Sequence, residues 1–144
     1  MIGKENYSEL FGFEAKSAVE IKTLVELSKE FSTENNFILL LDNKDIVKTR
    51  AVPAYLNGLL HLNEKVMKTE SLEKEILIFI SNFKDIRMAL EEVGAKTNED
   101  FIVLSNSKKI FQNFIKEGKI NKLNELKLEL DYKIASEVFS KNLI

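Results

Sequence analysis

The chain contains no cysteine, so disulfide bridges, thiolate nucleophiles and thiolate metal ligands are excluded by counting alone. Its one histidine, His61, and the lack of spaced carboxylate clusters argue against a zinc site or a histidine–carboxylate iron site. No serine lies in a nucleophile elbow. The five glycines, Gly3, Gly12, Gly58, Gly94 and Gly118, are too scattered for a phosphate-cradling loop or a dinucleotide fingerprint. Asp42 follows an apolar run, as in a receiver domain, but the acidic pair expected after the first strand of that fold is missing. No run approaches the roughly 20 apolar residues of a membrane helix, and MIGKENYSEL has no secretory hydrophobic core. The expectation is a cytoplasmic, non-catalytic protein with no cofactor, no metal and no membrane partner.

The 144 residues suffice for one domain, 1–144, able to bury roughly two thirds of its unfolded surface. The net charge of −2 gives no global attraction to nucleic acid. Its distribution is uneven: KKIFQNFIKEGKINK, from Lys108 to Lys122, holds five lysines against Glu117, a local +4 that leaves −6 on the rest. Lys108, Lys109, Lys116, Lys119 and Lys122 therefore define one alternative function, a stand-alone RNA-binding module.

Periodicity gives the elements. Tyr7 to Phe13 reads loosely as an edge strand, and Glu14 to Phe31 as an amphipathic helix with Ala18, Ile21, Leu24, Val25, Ser28 and Phe31 on one side. Phe37 to Leu41 is a strand, Lys44 to Val52 a connector, and Pro53 the first turn of a helix running to about Lys68. That helix has a wide apolar arc, which fits deep packing or a partner, and Gly58 within it predicts close approach of a neighbouring element. His61 shares a face with Asn57, Glu64, Lys65 and Lys68, and reads as a solvated surface histidine.

The apolar run Ile76 to Ile80 reads as a strand covered on both faces. Asn82 and Asp85 then form an approximate capping box for a helix through Ile86, Ala89, Leu90 and Val93, with Gly94 as a left-handed cap. Phe101 to Leu104 is a strand, and Asn106 or Ser107 caps a helix ending at Gly118. Leu123 to Leu130 reads equally as strand or helix. Asp131 caps a final helix with the stripe Ile134, Ala135, Val138 and Phe139; the apolar residues beyond it either tuck onto the body or enter a partner. The predicted fold is α/β, a single domain with a mixed central sheet of about four strands flanked by helices.

The stretch EILIFISNFKDIRMALEEVGAK resembles the kinase-binding subunit of the KEOPS (EKC) complex, known in eukaryotes as the PRPK-binding protein family. The residues that carry the resemblance are Glu75 to Leu77, Ser81, Lys84, Ile86, Ala89 and Val93-Gly94-Ala95-Lys96. It extends backwards through Asp45-Ile46-Val47 and the helix with Asn57, and forwards through FIVL to the C-terminal helix. The resemblance implies a subunit that binds the N-terminal lobe of a small atypical kinase and supports its activity. It also implies recruitment of tRNA through the unpaired CCA end for threonylcarbamoyladenosine formation. By this resemblance Lys84 matches the basic position of the family's turn, and Arg50, with Lys48 before it, the basic connector; these residues, with Arg87 one turn further, are expected to meet tRNA phosphates. Asp85 departs from the glutamine frequent in the family. The expected kinase contacts are Ile134, Val138 and Leu143, with part of the Leu56 to Met67 helix, Leu59 foremost.

Overall fold

The structure, a computed structural model, describes residues 10–67 and 69–128. Four strands, β1 (Phe11–Ser17), β2 (Ile38–Asp42), β3 (Phe101–Ser105) and β4 (Ile120–Glu125), form one sheet in the order β2-β3-β1-β4. Every pairing is antiparallel, so the α/β, four-stranded expectation stands but the strands do not run in mixed directions. Five helices accompany them among the described residues: α1 (Ile21–Phe31), α2 (Asp45–Asn63), α3 (Leu72–Ser81), α4 (Ile86–Val93) and α5 (Lys108–Glu117). None of these helices is long and apolar enough to cross a membrane.

Continuous apolar strands arise because helices cover both faces of the sheet. Leu39, Leu41, Ile102 and Leu104 pack towards α2, α3 and α4, whereas Ile38, Leu40, Phe101 and Val103 pack towards α1 and α5. Each such side chain contributes about 1.5–3 kcal/mol by leaving water. Phe13 and Ala15 add β1 to the second core, which makes β1 an inner strand rather than an edge. It extends through Ser17, shortening the helix expected from Glu14. Ser17 ends the strand by donating its hydroxyl to the Gly118 carbonyl at 2.6 Å and accepting from Val19 N–H.

The largest correction concerns Ile76 to Ile80, which is helical. Ser71 caps α3 by accepting from Lys74 N–H, and Glu73 and Glu75 occupy its first turn. Leu72, Ile76 and Ile80 face one core at i, i+4 and i+8, and Leu77 joins them because the helix is wedged among α2, α4 and the sheet. A short helix buried on most sides has the same apolar run as a buried strand. Asn82 then ends α3 in the left-handed region at φ 63°, and Asp85 caps α4 by accepting from Arg87 N–H at 2.8 Å. Gly94 is extended, not left-handed. A Cβ there would lie 2.5 Å from the Leu90 carbonyl oxygen.

The connector predicted over Lys44 to Val52 is also helical. α2 starts at Asp45 and continues through Pro53, which lies in its interior rather than its first turn, and stops at Asn63 rather than Lys68. Its wide apolar arc is filled internally: a Cβ on Gly58 would come 2.7 Å from Leu72 Cδ1 of α3, so the closely approaching element belongs to this chain. Leu59, expected to meet the kinase, is only 4% exposed and sits in the core. Leu123 to Glu125 belong to β4, which resolves that ambiguity in favour of strand. The final helix, with Ile134, Val138 and Leu143, lies outside the described residues.

Candidate nucleic-acid interface

Where α2 and α3 lie side by side, a groove of about 520 Å³ opens between them. Arg50, Asn57 and His61 come from α2, Glu75, Ile78 and Phe79 from α3, and Asn82, Phe83 and Lys84 from the turn that leads to α4. Arg50 donates from Nη1 to the Ile80 carbonyl at 2.9 Å, at the C-terminal end of α3, where a cation meets both an unpaired acceptor and the negative pole of the helix. That bond fixes the guanidinium at the groove. Its remaining donors are a geometry suited to phosphate oxygens.

The turn is locally determined. Ser81 accepts from Phe83 N–H at 3.1 Å, Asn82 reverses the chain, and Asp85 starts the next helix, so Phe83 and Lys84 are held against α3. The carboxylate of Asp85, which stands where the family frequently has glutamine, is occupied with capping.

The floor is polar and recessed. Asn57 is 6% exposed and its Oδ1 has no hydrogen-bond partner. His61 is not a solvated surface residue: its Nδ1 is buried, without a hydrogen bond, and lies 3.6 Å from Oε1 of the buried Glu75. Both atoms are withdrawn from solvent, and a buried polar atom without a partner costs about 1–3 kcal/mol. Phe79 and Phe83 add aromatic surface in the same groove.

The sequence-predicted basic residues divide. Arg50 and Lys84 come together in this groove. Lys48, about 200° around α2 from Arg50, turns away to Glu14 Oε2 at 3.5 Å. Its partner Glu14 also accepts from Asn43 Nδ2 at 2.6 Å, and that bond, ahead of the opposing effect of burial and the help of Lys48, holds its carboxyl below the usual range. Arg87 is exposed on α4 and pairs with Glu91 at 3.8 Å, outside the groove. Asn57, His61, Glu75, Phe79 and Phe83 were not singled out as site residues. The sequence signal for them was Ser71 followed by Glu73 and Glu75, a helix start that turns the apolar run into a groove wall.

Among the described residues no group of three or more His, Asp or Glu side chains is arranged to hold a metal ion. No family model matches the chain, and no curated protein matches it. The geometry therefore carries the functional argument. A guanidinium, an ammonium, two phenylalanines and a buried amide line one groove, a set of groups chemically suited to phosphate oxygens and to a stacked ring.

Proposed function

We propose that this protein is a non-catalytic subunit of a KEOPS-type assembly that supports a small atypical kinase and recruits tRNA by its unpaired 3′ CCA end. The observation that carries this reading is the convergence of Arg50 and Lys84, the two basic positions drawn from the resemblance, on one groove with Phe79, Phe83 and the buried Asn57. Unpaired bases are bound by stacking and by hydrogen bonds to their edges, and such a groove offers both. In this reading the kinase meets Ile134, Val138 and Leu143, with Leu59 removed from the contact by its burial; other KEOPS subunits are reached through the kinase.

The test is binding of tRNA with and without its CCA end to the wild type and to Arg50→Gln and Lys84→Gln. Removal of the CCA end and either substitution should each weaken binding, and the two losses should not add. Equal affinity for both RNAs would overturn the groove assignment. Co-expression with the matching kinase, followed by size exclusion, tests the other half: Ile134→Glu or Val138→Glu should abolish co-elution without altering circular dichroism.

A further inference from the structure

The outer face of α5 differs from that of α1. α1 balances the two signs, with Lys22, Glu26, Lys29 and Glu30 outward. On α5 the exposed residues Lys109, Gln112, Asn113 and Lys116 recur at i, i+3, i+4 and i+7, a stripe of lysines and amides beside which Glu117 is the one exposed acid of the helix. Lys109 and Lys116 stand two turns apart, about 10 Å along the axis. None of the ion pairs among the described residues involves Lys109, Lys116 or Lys119. Lys122 is different, since its Nζ lies 3.8 Å from the centre of the Phe13 ring.

Lys119 continues the stripe at a backbone position that disfavours it. A Cβ on Gly118 would lie 3.0 Å from both Leu24 Cδ2 and the Phe114 carbonyl oxygen, a tight approach that favours glycine there. The reversal into β4 then falls on Lys119, at φ 49°, where glycine or asparagine would be held at lower cost. The rings of Phe111 and Phe114 face the core, so the stripe has no surface for stacking an unpaired base. Cations and amides without aromatics suit phosphate and sugar oxygens instead.

We propose that Lys109, Gln112, Asn113, Lys116 and Lys119 form a second RNA contact, which holds the sugar-phosphate backbone of paired RNA on the opposite face of the sheet from the α2–α3 groove. This rests on the reading that RNA is the ligand of that groove, and adds a contact that ignores sequence and the 3′ end. The probes are a blunt-ended RNA hairpin and the same hairpin with an unpaired CCA extension, titrated against the full chain over a range of salt. Lys109→Gln/Lys116→Gln/Lys119→Asn should weaken the blunt hairpin at least tenfold and flatten the plot of log affinity against log salt by about 2–3, near 0.9 per phosphate contact. Replacing Lys109 and Lys116 by arginine should preserve binding. Arg50→Gln should leave the blunt hairpin unaffected and weaken only the extended one. Unchanged affinity and slope in the triple variant would overturn the proposal, as would equal competition by polyglutamate. If Arg50→Gln weakens the extended hairpin while the triple variant binds both normally, the α5 contact falls and the groove reading stands. The reverse pattern supports α5 and removes the groove.

Discussion

The two faces of the sheet each bury an apolar core but finish it differently at the surface. On one face α3 lies against α2 and leaves a recess, and the groups inside it are committed to the fold: Arg50 to the Ile80 carbonyl, His61 opposite Glu75. On the other face α5 is a single helix with a convex outer side, and its lysines Lys109 and Lys116, with Lys119 just beyond its end, enter no ion pair among the described residues. A recess needs two elements in register, and can therefore select a ligand by shape. A convex lysine stripe needs only helical periodicity, and selects by charge. The groove should consequently be sensitive to core substitutions that leave the α5 surface intact.

The largest expected effect follows from that dependence. Ile76 is fully buried on α3 beside the groove wall, and Ile76→Ala should cost about 2–5 kcal/mol. Chemical denaturation would measure the loss. Under native conditions, RNA binding through the groove should decline more than binding through α5, because the cavity lets α3 settle towards α2. Equal declines would show that the two sites are not structurally independent.

Asn106 tests the opposite face. Its Oδ1 accepts from Phe37 N–H and its Nδ2 donates to the Asn35 carbonyl, both at 2.9 Å, which ties the start of α5 to the start of β2. The residue is 7% exposed, so Asn106→Ala leaves a buried N–H without a partner and should cost about 1–3 kcal/mol. Hydrogen exchange should show the loss at Phe37 and along the first turn of α5, with α3 protected as before.

The same contrast explains how much was legible in the sequence. β2, β3 and α5 follow from local pattern: short apolar runs bounded by polar residues, and a helix with one apolar stripe. Lys84 could be placed because its turn is built from its own neighbours, Ser81, Asn82 and Asp85. α3 was misread because its apolar residues occupy more than one face, and only its packing between α2, α4 and the sheet distinguishes it from a buried strand. Once α3 is a strand, Arg50 has no helix end to cap and His61 no buried Glu75 to face, so the groove disappears from the reading. The start of α2 was lost for a related reason: Pro53 marks a first turn by local rule, yet here it is held in a helix interior by the packing of Val47, Ala51, Ala54 and Tyr55.

Two acidic residues give smaller effects of opposite sign. Glu14 is held below its usual range chiefly by the Asn43 amide, with Lys48 contributing. A carboxyl depressed in the folded state adds stability above its unfolded pKa, and that stability is lost as pH falls through the folded value. Glu14→Gln should therefore lower stability at neutral pH by about 1 kcal/mol, given the partial exposure of the group, and should matter little in acid. Melting temperature followed from neutral to acid pH should show the two proteins converge.

Glu73 should behave in the reverse way. Burial pushes its carboxyl up, against the pull of Lys29, Lys74 and a hydrogen bond from Ser32. Its place in the first turn of α3 also favours the charge, so burial has to outweigh a helix terminus as well as two ammonium groups. A carboxyl raised in the folded state binds its proton more tightly there than in the unfolded chain, and stability falls as pH rises from the unfolded to the folded pKa. Glu73→Gln keeps the shape and removes the buried charge, so it should raise the melting temperature slightly at neutral pH and have no effect in acid. The substitution lies between α3 and the end of α1, and Glu73 neither lines the α2–α3 groove nor belongs to α5. It should leave both hairpins bound as in the wild type, and a change in either would mean that the two faces of the sheet communicate through the start of α3.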